Sequence, residues 1–211
     1  MDKVMIAVPC FDHADVNFCQ CLTDLDTEGY DAKVVFCASS LIYDARNNLA
    51  MRAISEGYDW ILWLDSDMTF EPSLLKDLMA TGKDFVSGIF FSRRQPYKPA
   101  VFCECDYIDD PERPDAKRPI AKNYFDYPKD TLFSVEAFGF AAVLTKVEMI
   151  DTIRTIWGLP FTPLLGFGED LSFCLRARRL DIPLYTDSRI KVGHIGKTLI
   201  TEEVYEAQPK Q

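Results

Sequence analysis

Residues 60–64, Trp-Ile-Leu-Trp-Leu, form the most apolar strand-like stretch of the chain, with Asp59 before it and Asp65-Ser66-Asp67 after it. Five apolar residues without polar alternation suit a strand buried on both faces, which needs helices to cover it. The neighbouring segments supply them. Residues 3–8 and 33–37 are β-branched and aromatic runs, 84–91 is a fourth strand, and helices are expected over 41–56 and from Pro72 to Gly82. In the first of these helices Ala45, Leu49, Ala53 and Ile54 share a face; Ser40 is placed to cap it and Gly57 to end it. Pro72 suits a first helical turn, where its missing N–H costs nothing. This β-α-β-α-β rhythm predicts an α/β fold with a mostly parallel sheet flanked by helices.

Residues 93–131 break the rhythm. Pro96, Pro99, Pro111, Pro114, Pro119 and Pro128 punctuate them and 106–118 is highly charged, so a substrate-facing insertion with a few short strands is expected. Order returns with strands over 132–136 and 139–144. The capping-box sequence Thr145-Lys146-Val147-Glu148 opens a helix to about residue 156, and a helix over 169–180 follows Gly166-Phe167-Gly168. Short strands over 183–186 and 189–192 complete the pattern. The 211 residues read as a single domain: one half over 1–92, the insertion over 93–131, and a second half over 132–211.

Charge and cysteines narrow the function. Asp and Glu number 33 against 23 Lys and Arg, a net charge of −10, which disfavours duplex nucleic acid as a partner. Arg93, Arg94, Lys98, Arg113, Lys117, Arg118 and Lys122 nevertheless make the middle locally basic. No run of about 18 apolar residues is present, so no membrane span is expected. The first nine residues, with Asp2 and Pro9, read as a strand rather than an export signal. Seven cysteines, an odd number, fit reduced thiols and a cytoplasmic location. The Cys19/Cys21 and Cys103/Cys105 pairs are too closely spaced for a zinc site, and the chain has two histidines to add to them.

Five groups of residues carry candidate chemistry. Asp65-Ser66-Asp67 leaves the apolar strand at the end where ligands of open α/β sheets gather. Two carboxylates spaced by one small residue suit a hard divalent cation that takes phosphate oxygens as further ligands; a solvated turn accounts for the same residues. Glu169 and Asp170 fall in a first helical turn, where the dipole favours ionised carboxylates. They are either helix-stabilising or, behind the glycine-rich lead-in, a general base facing an alcohol. His194 is either structural or the imidazole completing a carboxylate metal site, and Lys197 either a surface lysine or a positive charge on a phosphate leaving group. Arg46-Asn47 lies where a helix dipole disfavours a cation, which points to a specific partner: a base, a ribose or an acid. Arg93-Arg94 is an anion clamp or a solvated loop, and His13 reads as a surface residue.

Taken together, these segments resemble GT-A-fold (Rossmann-like) glycosyltransferases, closest to small phage and bacterial family-two-like enzymes. The likeness is carried, in order, by Val8-Pro9, Ala45-Arg46-Asn47-Asn48-Leu49-Ala50, Trp63-Leu64-Asp65-Ser66-Asp67-Met68, Gly166-Phe167-Gly168-Glu169-Asp170-Leu171-Ser172-Phe173-Cys174 and Val192-Gly193-His194-Ile195-Gly196. It implies a single GT-A domain and an inverting hexosyl- or pentosyltransferase. The donor would be a nucleoside-diphosphate sugar, a UDP-sugar foremost, and the acceptor a hydroxyl of a glycan, a protein or a modified DNA base. The resemblance further implies a divalent ion, Mn²⁺ or Mg²⁺, bridging the diphosphate. Asp67 and His194 would hold it, with Asp65 on the metal, on one of its waters or on ribose. Pro9, Cys10, Asp12, Arg46, Ser66 and Arg93 would line the nucleotide sugar, Glu169 and Asp170 would face sugar and acceptor with Asp170 as base, and Lys197 would help the diphosphate depart. Ser39-Ser40 stand where such enzymes often carry an acid that reads the base, which leaves the base open.

Two other classes predict different residues. A sugar nucleotidyltransferase of related fold grips a triphosphate with a Gly-rich, basic loop, and Pro9-Cys10-Phe11-Asp12-His13 has neither glycine nor lysine. A non-catalytic nucleotide-sugar or carbohydrate-binding module would have lost a metal or base residue, and none is missing. Tyr97, Phe102, Tyr107, Tyr124, Phe125 and Tyr127 either stack on an acceptor or pack the insertion together.

Overall fold

The structure, a computed structural model, describes residues 1–196 and 199–208. Its elements run β1 (Lys3–Cys10), α1 (Val16–Asp24), β2 (Asp31–Ala38), α2 (Ile42–Ser55), β3 (Trp60–Leu64), β4 (Met68–Thr69), α3 (Leu74–Ala80) and β5 (Phe85–Ile89). There follow β6 (Val101–Asp110), β7 (Arg113–Asn123), β8 (Leu132–Val135), β9 (Ala137–Phe138), β10 (Ala142–Lys146), α4 (Val147–Trp157) and α5 (Glu169–Arg178). The chain ends with β11 (Leu184–Lys191), β12 (Gly193–Ile195), β13 (Leu199–Ile200) and α6 (Glu202–Glu206).

The main sheet has seven strands in the order β2-β1-β3-β10-β5-β11-β8. β2, β1, β3, β5 and β11 share one direction, while β10 and β8 run against them. The expected mostly parallel sheet is therefore present, with an antiparallel strand at its centre. The apolar run at 60–64 explains the layering. Successive side chains of a strand point to opposite faces: Ile61 and Trp63 join Met5, Ala7, Leu49, Phe85 and Phe173 on one side, and Leu62 and Leu64 join Val4, Ile6, Val8, Phe18 and Leu75 on the other. One layer is dominated by aromatic edges, with Phe161 stacked on Phe173 at 4.5 Å and Phe85 edge-on to Phe138 at 4.9 Å.

Several boundaries depart from the sequence reading for identifiable reasons. The Thr145 hydroxyl accepts a hydrogen bond from the buried Trp63 indole at 3.0 Å, so it does not cap α4, whose cap residue is Lys146 with no side-chain bond. Ser39, not Ser40, braces the start of α2, accepting the Leu41 N–H at 3.2 Å. The strands expected over 183–186 and 189–192 are one strand, β11, with a register shift between Asp187 and Lys191. Helix α1, unread in the sequence, is nine residues long and buries a single residue, Phe18.

The largest correction concerns the insertion. Instead of a few short strands, β6 and β7 form one long antiparallel hairpin, with Phe102 opposite Asn123 and Asp109 opposite Lys117, and the short β9 pairs beside its base. Tyr107 packs edge-on against Phe167, Tyr124 against Phe133, and Tyr127 stacks on Phe133. These three aromatics pack the insertion, whereas Phe125 is exposed.

Candidate active site

The parallel strands β1 and β3 end beside one another, and the loops that leave them interlock. Asp15 N–H donates to the Ser66 carbonyl at 2.9 Å, and the Ser66 hydroxyl donates to the His13 carbonyl at 3.3 Å. These loops form one wall of a cleft of about 1020 Å³ lined by Phe11, His13, Asp15, Ser66, Asp67, Arg93, Arg94, Gln95, Tyr97, Ile195, Gly196 and Ile200. The cleft lies at the carboxyl ends of these strands, where open α/β sheets bind ligands.

Backbone pairing brings Asp67 and His194 together across 127 positions of sequence. Strand β12 runs antiparallel to β4, with Gly193 opposite Thr69 and His194 opposite Met68, and Ile195 N–H donates to the Asp67 carbonyl at 2.8 Å. A side chain at residue 193 would collide with the Thr69 hydroxyl, so glycine there permits the approach. His194 Nε2 then faces Asp67 Oδ2 at 3.4 Å, while its Nδ1 lies 2.8 Å from the Phe91 carbonyl. A carbonyl only accepts, so Nδ1 carries a proton; with Nε2 also protonated the ring is an imidazolium paired with Asp67, and loss of that second proton leaves a lone pair there. Arg93 adds a guanidinium contact to the same Asp67 oxygen. Burial opposes the charge on both partners of the pair. Their mutual attraction overcomes it, holding Asp67 below its ordinary range, with help from Arg93, and His194 above its own.

Arg46 sits beneath the cleft rather than on its wall. It is 2% exposed, and its guanidinium donates to Asp65 Oδ1 at 2.8 Å, to Glu169 Oε1 at 3.3 Å and to the Phe140 carbonyl at 3.2 Å. Of the partners open to Arg46-Asn47 in the sequence, an acid is the one the fold supplies, twice. Asn47 accepts the Phe161 N–H at 2.9 Å and so anchors the segment leading to α5. Asp65 is thereby turned toward Arg46, with one oxygen committed there. The start of α5 places Asp170 beside this cluster; burial and the Glu169 carboxylate push its carboxyl up to about 6. Its Oδ1 accepts the Leu171 N–H at 2.7 Å.

The remaining sequence candidates fall as follows. Pro9 is buried at the end of β1, and the Cys10 thiol points to the Cys37 carbonyl at 3.8 Å, its pKa pushed up by burial. Asp12 is exposed and pairs with His13. Lys197 lies outside the described residues. The structure therefore brings Ser66, Asp67, His194 and Arg93 into one cleft neighbourhood and Arg46, Asp65, Glu169 and Asp170 into an adjoining cluster. Sequence reasoning missed Phe11, Asp15 and Gln95 as cleft residues; His13, read as a surface residue, also lines the cleft, as does Tyr97, one of the aromatics open to stacking on an acceptor or packing the insertion. Phe11, His13 and Asp15 follow the end of β1, a position that could have flagged them; nothing local marks Gln95.

The Asp67–His194 pair fits a divalent ion by its chemistry. A carboxylate and an imidazole held at 3.4 Å match the span of two neighbouring ligands at about 2.1 Å from one metal. The Nδ1–carbonyl bond is the outer contact that orients a ligating histidine. Among the described residues no set of three or more ligating side chains is gathered. A two-ligand site leaves positions for water and phosphate oxygens, as small hard cations require.

Comparison with known proteins bears on the fold. A family model, Anp1, a glycosyltransferase family, matches residues 38–107, the stretch that holds α2, β3 and the Asp65–Asp67 turn. The crystal structure of A197 from STIV is 15% identical with a TM-score of 0.59, covering 100% of this chain and 99% of that one. The structure of GalNAc-T7 with UDP, GalNAc and Mn²⁺ is 9% identical with a TM-score of 0.58, covering 99% of this chain and 45% of that one. The fold is that of the GT-A type. This chain spans less than half of the GalNAc-T7 chain, and no curated protein matches it. The resemblance to small GT-A-type glycosyltransferases drawn from the sequence is supported by both the family model and the fold. Among the described residues, no helix is long and apolar enough to cross a membrane.

Proposed function

We propose that this protein is a metal-dependent glycosyltransferase that moves a sugar from a nucleoside-diphosphate sugar to a hydroxyl acceptor, a glycan, a protein or a modified nucleobase. The observation that carries the reading is the convergence of Asp67 and His194 beside a cleft at the strand ends, next to a half-buried carboxylate cluster around the buried Arg46. The GT-A neighbour solved with UDP and Mn²⁺ supports a uridine diphosphate donor and Mn²⁺.

In this reading Asp67 and His194 would hold the divalent ion, which would supply positive charge for the diphosphate leaving group. Phe11 and Ser66 line the donor side of the cleft, and Arg93 and Arg94 add cationic groups for phosphate oxygens. Asp170 takes the proton from the acceptor hydroxyl as that oxygen attacks the sugar carbon, the direct displacement of an inverting enzyme. A carboxyl with a pKa of about 6 is largely ionised at neutral pH and is a stronger base than an ordinary aspartate. Arg46 balances the adjoining Asp65 and Glu169, so that three carboxylates can share one region.

Sugar release from UDP-sugars, followed by UDP formation with and without acceptor, tests this. Turnover should rise with pH through about 6 and level off above it, because the base works only when deprotonated. Asp170→Asn should retain nucleotide binding and lose transfer by at least about 100-fold. Full activity in that variant removes Asp170 as the base.

A further inference from the structure

The cleft loop between β5 and β6 has a pinned stem and an exposed tip. Phe91 bridges Pro99, Ser92 N–H donates to the Lys98 carbonyl at 2.8 Å, and Ala100 N–H donates to the Phe90 carbonyl at 2.9 Å. On the far side, Gln208 clamps the Tyr97 backbone with two bonds, at 2.8 Å and 2.7 Å. Between these anchors stand Arg93 and Arg94, both in the wall of the cleft. The Arg93 side chain is 53% exposed, so it can turn without disturbing the stem.

Arg93 reaches Asp67 through Oδ2, which is also the oxygen that faces His194 Nε2. A cation held jointly by Asp67 and His194 would draw on that same oxygen, so the guanidinium stands in its way. We propose that Arg93 is the resting counter-ion of Asp67: divalent metal displaces it, and the freed guanidinium moves onto the diphosphate that arrives with the metal. This rests on the metal-site reading above and deepens it, because it assigns one arginine two successive anionic partners in one cleft. Three features carry it. The carboxylate is a single shared acceptor, the guanidinium is the exposed member of the pair, and the loop bearing it is fixed at both ends. A partly exposed ion pair is weak, so a divalent ion replaces it readily. A guanidinium fork suits phosphate oxygens as well as it suits a carboxylate.

Manganese binding to the protein without nucleotide, followed by titration calorimetry and Mn²⁺ electron resonance, reads the first step. Arg93→Met should bind Mn²⁺ more tightly than wild type, by up to about fivefold, because the competing cation is gone. Arg93→Lys should return toward the wild-type value. The second step is read at saturating Mn²⁺ with whichever of UDP, GDP, ADP and CDP binds wild type most tightly. There Arg93→Met should weaken binding by about tenfold, the loss of a charge-assisted contact. Unchanged Mn²⁺ affinity in Arg93→Met, with Asp67→Ala abolishing binding, overturns the displacement and leaves the metal site standing. Tighter Mn²⁺ binding with unchanged nucleotide affinity overturns the hand-over to the diphosphate. If wild type binds no Mn²⁺ with or without nucleotide, this proposal and the metal reading fall together.

Discussion

At the scale of single residues, Arg46 ties the molecule's two halves. It leaves α2, buries its guanidinium, and joins Asp65 at the end of β3 to Glu169 at the start of α5. A buried charge is tolerable only when paired, and removing one partner strands the others. Arg46→Met should therefore cost about 3 kcal/mol or more, a fall of about 6–12 °C in Tm for a domain of this size. Arg46→Lys should recover part of that loss, because a point charge cannot match a fork that serves two carboxylates and a carbonyl. Thermal unfolding of the two variants checks this; a Tm within 2 °C of wild type for Arg46→Met would contradict the bridging role. The sequence showed that an arginine at this position of α2 wants a specific partner. It could not show which, because Asp65 and Glu169 are 19 and 123 residues away. The same limit applies to Thr145, whose capping sequence is locally sound and is overridden by the Trp63 indole on the adjacent strand.

At the scale of elements, the hairpin β6–β7 acts as a buttress for the loop that carries the acid pair. The Tyr107 hydroxyl donates to the Leu165 carbonyl at 2.7 Å, Pro119 packs over Gly166, and Arg179 pairs with Asp106. Gly166 has φ +85°, and a side chain there would fall on the Pro119 ring. Gly166→Ala should therefore cost about 1–3 kcal/mol through strain. On the proposed reading it should also lower transfer more than it lowers nucleotide binding, since the disturbed loop leads into Glu169 and Asp170. Parallel measurement of UDP release and nucleotide affinity separates the two effects; equal losses in both would argue against the buttress. The hairpin was not legible in the sequence for a physical reason. Strand β7 is largely exposed and β6 buries only Val101, Cys105 and Asp110, so neither shows the apolar alternation that marks a half-buried strand, and Pro119 sits on the outer strand, where Pro is tolerated. The inner strands β1, β3 and β5 of the main sheet were legible because burial on both faces leaves an unbroken apolar signature.

At the scale of the whole molecule, the sheet order places the ends of β1 and β3 side by side, and the late segment β12–β13 returns to complete the cleft against β4. The C-terminal helix α6 closes this return. Buried Glu202 accepts from Tyr127, Lys129 and Lys191, and Tyr205 stacks on Phe91 at 4.2 Å, the residue whose carbonyl holds His194. The order of the motifs along the chain announced the fold class. The antiparallel β10 at the sheet centre and the pairing that seats His194 on Asp67 arise from contacts between distant segments and carry no local signal.

The central claim, a nucleotide site completed by metal on Asp67 and His194, is tested most directly by thermal shift with nucleoside diphosphates, with and without Mn²⁺, in wild type, Asp67→Ala and His194→Ala. A ligand that binds the folded state at 100 times its Kd adds about 2.7 kcal/mol of stability, a shift of several degrees. The account predicts a Mn²⁺-dependent shift with one nucleotide in wild type and its loss in both variants, whose own Tm in buffer stays close to wild type. A shift of the same size without Mn²⁺, or one that survives in Asp67→Ala and His194→Ala, would contradict it.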